Sequence, residues 1–256
     1  MSQVEQYEKC PKQYELQRVL GVRQRPAAWF HQGTAVHAAV EEYEVSGRAL
    51  DASEAVAVFS ENYSRGVRAD LAAEPNLDRW MTAGGAAGRS DIESRYALGM
   101  DQTRAYVEWA EEHQPSIWKG EGGELGIEKH LTAEIGGVTV QGYVDQLVNQ
   151  PDNSVRVRDV KTGTTRSAFQ LQTYTVLVRK ALSLKVNDAD WYMAKNGKLS
   201  RPIDLKEVAE ADIAHRFVEA DHGINAGSFP ARPGFHCRFC SVSHACNAEK
   251  KRPLRK

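Results

Sequence analysis

The chain has 256 residues, 41% of them apolar and 26% charged, which is ordinary globular composition and excludes a disordered or fibrous protein. Lysine plus arginine (33) balances aspartate plus glutamate (34), so the formal charge is -1 and nucleic-acid contact has to come from a local groove. No run approaches the ~18 apolar residues of a membrane span, and the first residues lack an apolar signal core. The expected compartment is therefore the cytosol.

In chain order, Ser2-x-x-Glu5 reads as a capping box opening a helix over 3–20, with a kink or break at Cys10-Pro11. Residues 21–32 read as loop, and Gly33 to Glu41 as a helix packed closely at its start. Residues 51–73 have apolar residues at helical spacing, ended by Glu74-Pro75-Asn76. Gly84 to Gly88 form a loop, and Ser90-x-x-Glu93 is a second capping box opening a helix to His113. The period then changes. Residues 124–133 and 137–149 form a hairpin turning at Gly136-Gly137, and 154–160 form a third strand. A helix over 167–182, a strand over 186–194 and a helix over 205–226 follow, then a cysteine-rich tail and a basic run over 250–256. Helices followed by β-β-β-α-β predict an α/β (α+β) fold with a helical insertion before the sheet.

The four cysteines are Cys10, Cys237, Cys240 and Cys246. C-x-x-C with one more cysteine nearby is metal-ligand spacing, and four thiolates complete either a Zn site or an iron–sulfur cluster. Spacing alone leaves those two open. A site that includes Cys10 would tie the first helix to the last loop.

A second constellation is acidic. Asp145 interrupts an apolar strand, where a carboxylate is costly unless paired or metal-bound. Asp159 and Lys161 share one side of the third strand, a plain ion pair if read alone. Carboxylates on neighbouring strands favour a hard cation between them, Mg²⁺ or Mn²⁺. Glu128 is either a further acid on that face or a surface residue. Gln170 and Tyr174 are one helical turn apart and share a face; His37 alone says little.

In order the chain shows Cys10-Pro11, Gly33-x-x-x-His37, Gly142-x-x-Asp145, Asp159-x-Lys161, Gln170-x-x-x-Tyr174 and Cys237-x-x-Cys240-x5-Cys246. This series resembles the RecB-like branch of the PD-(D/E)XK nucleases, in particular its iron–sulfur members: CRISPR-associated adaptation nucleases, stand-alone phage and bacterial relatives, and the nuclease domain of AddB. The resemblance implies a restriction-endonuclease-like core in one nuclease domain. Its parts would be 1–45 (first cluster cysteine and metal histidine), 46–123 (helical insertion), 124–204 (core sheet and helix) and 205–256 (last helix, cluster loop and basic tail). It implies Mn²⁺ or Mg²⁺ held by His37, Asp145, Asp159 and the Val160 carbonyl, Lys161 acting on the attacking water, and Gln170 and Tyr174 positioning the substrate strand. It also implies a [4Fe–4S] cluster on the four cysteines.

The expected activity is DNA exonuclease action on single strands or duplex ends in recombination, repair or phage DNA metabolism, in a bacterial or phage-infected cell. The alternatives are a CRISPR adaptation nuclease trimming spacer precursors with integrase partners, and a non-catalytic iron–sulfur DNA-binding module. Oligomers occur among relatives of this kind. Candidate DNA contacts are Arg23, Arg25, Arg166, Lys195, Lys198 and the basic tail, with Tyr174 or Phe239 as candidates to stack a base of single-stranded DNA. No G-x-x-x-x-G-K-[ST] motif is present, so ATP-driven unwinding is not encoded in this chain.

Overall fold

The structure is a computed structural model and describes residues 3–164 and 166–248; Ser2 of the first capping box and the basic run over 250–256 lie outside them. The amino-terminal segment is not one helix. Helix α1 (Gln3–Lys9) ends at Cys10, whose extended backbone (φ -161°) caps α2 (Pro11–Tyr14), and a π-helical turn over Glu15–Val19 follows. Pro11 is tolerated because the first residue of a helix has no intrahelical use for its N–H.

Helix α3 (Ala28–Val45) starts five residues before the expected Gly33. Ala27 and Ala28 are fully buried and nothing after Pro26 breaks a helix, so the segment expected as loop is its first turn. Helix α4 (Ala52–Ala73) is capped by Asp51, which accepts from the N–H of Ser53 and Glu54. Helix α5 (Arg89–His113) opens at Gly88, and the expected Ser90–Glu93 box does not form. At φ 57° Gly88 adopts a left-handed conformation that suits a residue without Cβ, and the helix is capped two residues earlier than expected.

The sheet consists of β1 (Ile127–Ile135), β2 (Val138–Asn149), β3 (Val155–Lys161), β4 (Val186–Met193), β5 (Lys198–Leu199) and β6 (Ile203–Asp204). Strands β1, β2 and β3 are antiparallel neighbours, as the hairpin at Gly136-Gly137 dictates. Helix α6 (Ala168–Leu182), capped by Ser167, then carries the chain across, and β4 returns parallel to β3. Both β5 and β6 pair antiparallel with β4. Helix α7 (Glu210–Asn225) begins five residues after the expected 205. Buried Leu205 still donates its N–H to Asn187 O at the β4 edge, and that bond holds the chain extended.

Helices cover both faces of this mixed sheet. On one face α6, α7 and α1 bury Val140, Val144, Val157, Leu171, Leu177 and Ile213. On the other, α3, α4 and α5 bury Val36, Phe59, Tyr106, Trp109, Val160 and Tyr192. The expected insertion is therefore a second helical layer built on α3. A small third cluster, Leu16 with Cys240 and Val242, joins the chain ends.

Candidate active site

The pairing of β2 with β3 stops at Gln146–Arg158, and the two strands part there. Asp145, the next residue of β2, replaces the missing ladder bond with its side chain: Oδ2 accepts the N–H of Val160 at 2.7 Å. Glu128 lies opposite Asp145, between the paired positions Ile127–Gln146 and Lys129–Val144. Its φ is 42°, an uncommon conformation for a residue with a side chain, of the kind that concentrates at functional sites. His37 reaches in from α3, with Nδ1 3.0 Å from Glu128 Oε1 and 3.7 Å from Asp145 Oδ2.

One ligand atom from each of His37, Glu128 and Asp145 falls within 4.8 Å of the others. An octahedral cation with ligands at about 2.1 Å spaces them about 3 Å apart when adjacent and about 4.2 Å when opposite. The nitrogen and oxygen donors and their spacing thus fit a small hard cation. The tightest trio contains Glu128 where the sequence places Asp159, and Val160 reaches Asp145 through its N–H. Asp159 is 1% exposed beside the trio, and its carboxylate faces Lys161 Nζ at 2.7 Å. Lys161 donates to Gln170 Oε1 (3.0 Å), and Gln170 Nε2 donates to the Tyr174 hydroxyl (2.9 Å). The residues of the Asp159-x-Lys161 and Gln170-x-x-x-Tyr174 motifs form one chain of contacts.

The electrostatics follow from crowding acids in a buried place. Burial works against the imidazolium of His37, but Asp145 and Glu128 outweigh it and push its pKa up to about 9. Burial raises the carboxyl of Asp145 to about 7; His37 opposes that rise, while Asp159 and Glu128 add to it. Burial also raises Asp159, against the pull of Lys161. A divalent cation would relieve this excess of negative charge and displace the protons.

Sequence reasoning missed the residues that hold the site from behind. Gln32 of α3 donates to Gln102 of α5 (2.6 Å), and Gln102 donates to the carbonyl of Thr162 (2.8 Å), next to Lys161. Both glutamines are 2% exposed. Behind Asp145, Gln146 bonds the Tyr106 hydroxyl, which donates to Glu44. The only sequence signal was a polar residue at the inward spacing of an amphipathic helix. The candidate DNA contacts are dispersed. Arg25 donates to the carbonyls of Arg79 and Trp80, Arg23 and His244 line the same surface cleft, and Arg166 lies over Trp191. Lys195, Lys198 and Phe239 are exposed.

The four cysteines are free thiols lining one cavity with Leu16, and Cys10 comes from the opposite end of the chain. Gly234 N–H points to Cys237 Sγ at 3.4 Å. Burial pushes the Cys240 thiol up, with the other three cysteines adding to it. No three of their sulfurs lie mutually within 4.8 Å. A tetrahedral Zn²⁺ with Zn–S of about 2.3 Å needs them about 3.8 Å apart.

The site thus gathers acids and a lysine where two strands of a helix-flanked mixed sheet part. Residues 1–247 match the profile of the PD-(D/E)XK nuclease superfamily, and the chain belongs to that superfamily. Membership indicates a divalent-metal-dependent nuclease with DNA as its substrate class. Among relatives, the Gene 69 protein of Mycobacterium phage D29 is 37% identical, with 96% of this chain and 95% of the relative covered. The Gene 69 protein of Mycobacterium phage L5 is 32% identical, covering 96% and 94%. No helix among the described residues is long and apolar enough to cross a membrane.

Proposed function

We propose that the chain is a RecB-like, iron–sulfur DNA exonuclease that degrades single-stranded or end-exposed DNA during phage DNA metabolism. The observation that carries this reading is the meeting of His37, Glu128 and Asp145 with the contact chain from Asp159 through Lys161 and Gln170 to Tyr174. His37, Asp145, Asp159 and the Val160 carbonyl would hold Mn²⁺ or Mg²⁺, with Glu128 orienting His37 or joining the ligands. The cation supplies positive charge for the phosphate and lowers the pKa of bound water. Lys161, held between Asp159 and Gln170, is placed to orient that water and to offset charge in the transition state. Tyr174 and Gln170 face the incoming strand. The four cysteines line one cavity, and a [4Fe–4S] cluster held by them would fasten the two chain ends together. The mycobacteriophage relatives favour phage DNA metabolism over spacer capture.

The test is anaerobic purification followed by incubation of end-labelled linear and circular DNA with Mn²⁺ or Mg²⁺, beside Asp159→Ala. Metal-dependent loss of linear single strands, absent in the variant, is expected. Cleavage of circles would make the enzyme an endonuclease, and equal cleavage by the variant would remove the site assignment.

A further inference from the structure

The β1–β2 hairpin has one packed face and one open face. Leu131, Ile135, Val140 and Val144 are buried against α6 and α7. The other face carries three cross-strand rows: His130 opposite Tyr143, Thr132 opposite Gln141, and Glu134 opposite Thr139. All six side chains are exposed. Alternate residues of a strand share a face, so this open face runs into the acidic site. Glu128 precedes His130 by two residues, and Asp145 follows Tyr143 by two. The two acids therefore form the row behind, roughly 6.6 Å along the strands. Helix α3 meets the face at that row, where His37 contacts Glu128, and from the next row outward the side chains reach solvent.

The first open row is an aromatic pair. Tyr143 is 58% exposed, and its ring centroid lies 4.7 Å from that of His130. Gln141 Oε1 lies 3.3 Å from His130 Nε2; an amide oxygen only accepts, so Nε2 donates, and the bond holds the imidazole beside the phenol ring. No lysine or arginine is among the six open residues, and Glu134 is in the farthest row. A phosphate finds no positive charge there, whereas a flat neutral ring finds an aromatic face. Before Gln146, β2 has no strand on its β3 side among the described residues. A DNA strand crossing that edge at the acids would meet aromatic rings on both faces of β2. Tyr174 is on one face, where a Cβ at Gly142 would stand 3.1 Å from its ring, and Tyr143 is on the other.

We propose that the Tyr143–His130 pair is a stacking platform for the nucleobase next to the scissile phosphate, with that phosphate at the acidic cluster. The inference rests on the nuclease reading and deepens it. A base reaches the platform only after leaving its own partner, so the platform favours unpaired ends. Stacking uses the π-face that every base has, so the preference is indifferent to sequence. Tyr143 contacts the base, and His130 positions Tyr143.

The test uses Tyr143→Ala, Tyr143→Phe and His130→Ala in the full chain. Binding is read with Mn²⁺ in a Lys161→Met background, where cleavage is slow. The probe is a single-stranded oligonucleotide with 2-aminopurine at the first, second or third nucleotide from either end. Quenching at one of those positions is expected with Tyr143 present. It should be lost in Tyr143→Ala, weakened in His130→Ala, and kept in Tyr143→Phe, which retains the ring. With Lys161 in place, Tyr143→Ala is expected to raise KM for the oligonucleotide about tenfold and to change kcat less, and Tyr143→Phe to restore it. An abasic residue at the quenched position should erase the difference between Tyr143→Ala and wild type. A merely structural pair would instead lower the thermal midpoint with no dependence on nucleotide position. Absence of quenching with Tyr143 present, quenching that survives Tyr143→Ala, or a KM rise that persists on the abasic substrate would overturn the proposal. If wild type cleaves no DNA with Mn²⁺, the nuclease reading fails, and the quenching series alone decides for or against the platform.

Discussion

The acidic site and the cysteine cavity gather residues distant in sequence, but they are held together differently. The acidic site is preorganised by the fold. Its side chains come from α3, β1, β2, β3 and α6, hydrogen-bond one another, and are backed by the buried Gln32–Gln102–Thr162 relay. Its uncompensated element is charge. The cysteine cavity has thin support: short 3₁₀ turns over Phe235–Phe239 and Ser243–Ala245, and a buried cluster of Leu16, Cys240 and Val242. The scaffold makes the first site and a bound ion completes its electrostatics. In the second, a bound group would supply the scaffold that side-chain packing does not.

The widest separation of the two should come from single substitutions. Lys161→Met is expected to cut the cleavage rate by roughly 10²–10⁴-fold, with the thermal midpoint little changed. Cys240→Ser should do the reverse: loss of bound iron and sulfide, and early proteolysis of the carboxyl-terminal segment, with the sheet and helical layers intact by circular dichroism. A fully inactive but stable, cluster-free Cys240→Ser protein would dissolve the distinction.

A smaller effect is expected from Gln102→Leu, which strands the Thr162 carbonyl and the Gln32 amide. Denaturant titration should show a loss of about 1–3 kcal/mol. Because the relay ends next to Lys161, kcat should fall more than KM rises; the stability loss alone would mark the relay as purely structural.

The gentlest probe is pH. The raised pKa of His37 contributes stability that is present below its ordinary 6.5 and is lost as pH rises through about 9. The raised pKa of Asp145 acts with the same sign, its contribution present below 3.8 and lost as pH rises through about 7. The metal-free protein should therefore lose thermal stability as pH climbs through those values, and Mn²⁺ should flatten the slope by taking the place of the protons. A slope unchanged by Mn²⁺ in scanning calorimetry would argue that the cation binds elsewhere.

The order of the main elements was legible in the sequence, because local spacing and turn residues govern it, while the parallel return of β4 beside β3 was not read there. Asp145 and the Asp159–Lys161 pair stood out there because acids in apolar strands demand partners. Helix starts were less legible. Gly88 and the Leu205–Asn187 bond set where α5 and α7 begin, and both depend on the chain around them. Tertiary structure alone decided that Glu128 joins His37, since its left-handed φ arises where β2 leaves β3. It alone left the edge of β2 free before Gln146, because an unpaired edge reflects where a neighbouring strand stops, and no residue in β2 encodes that.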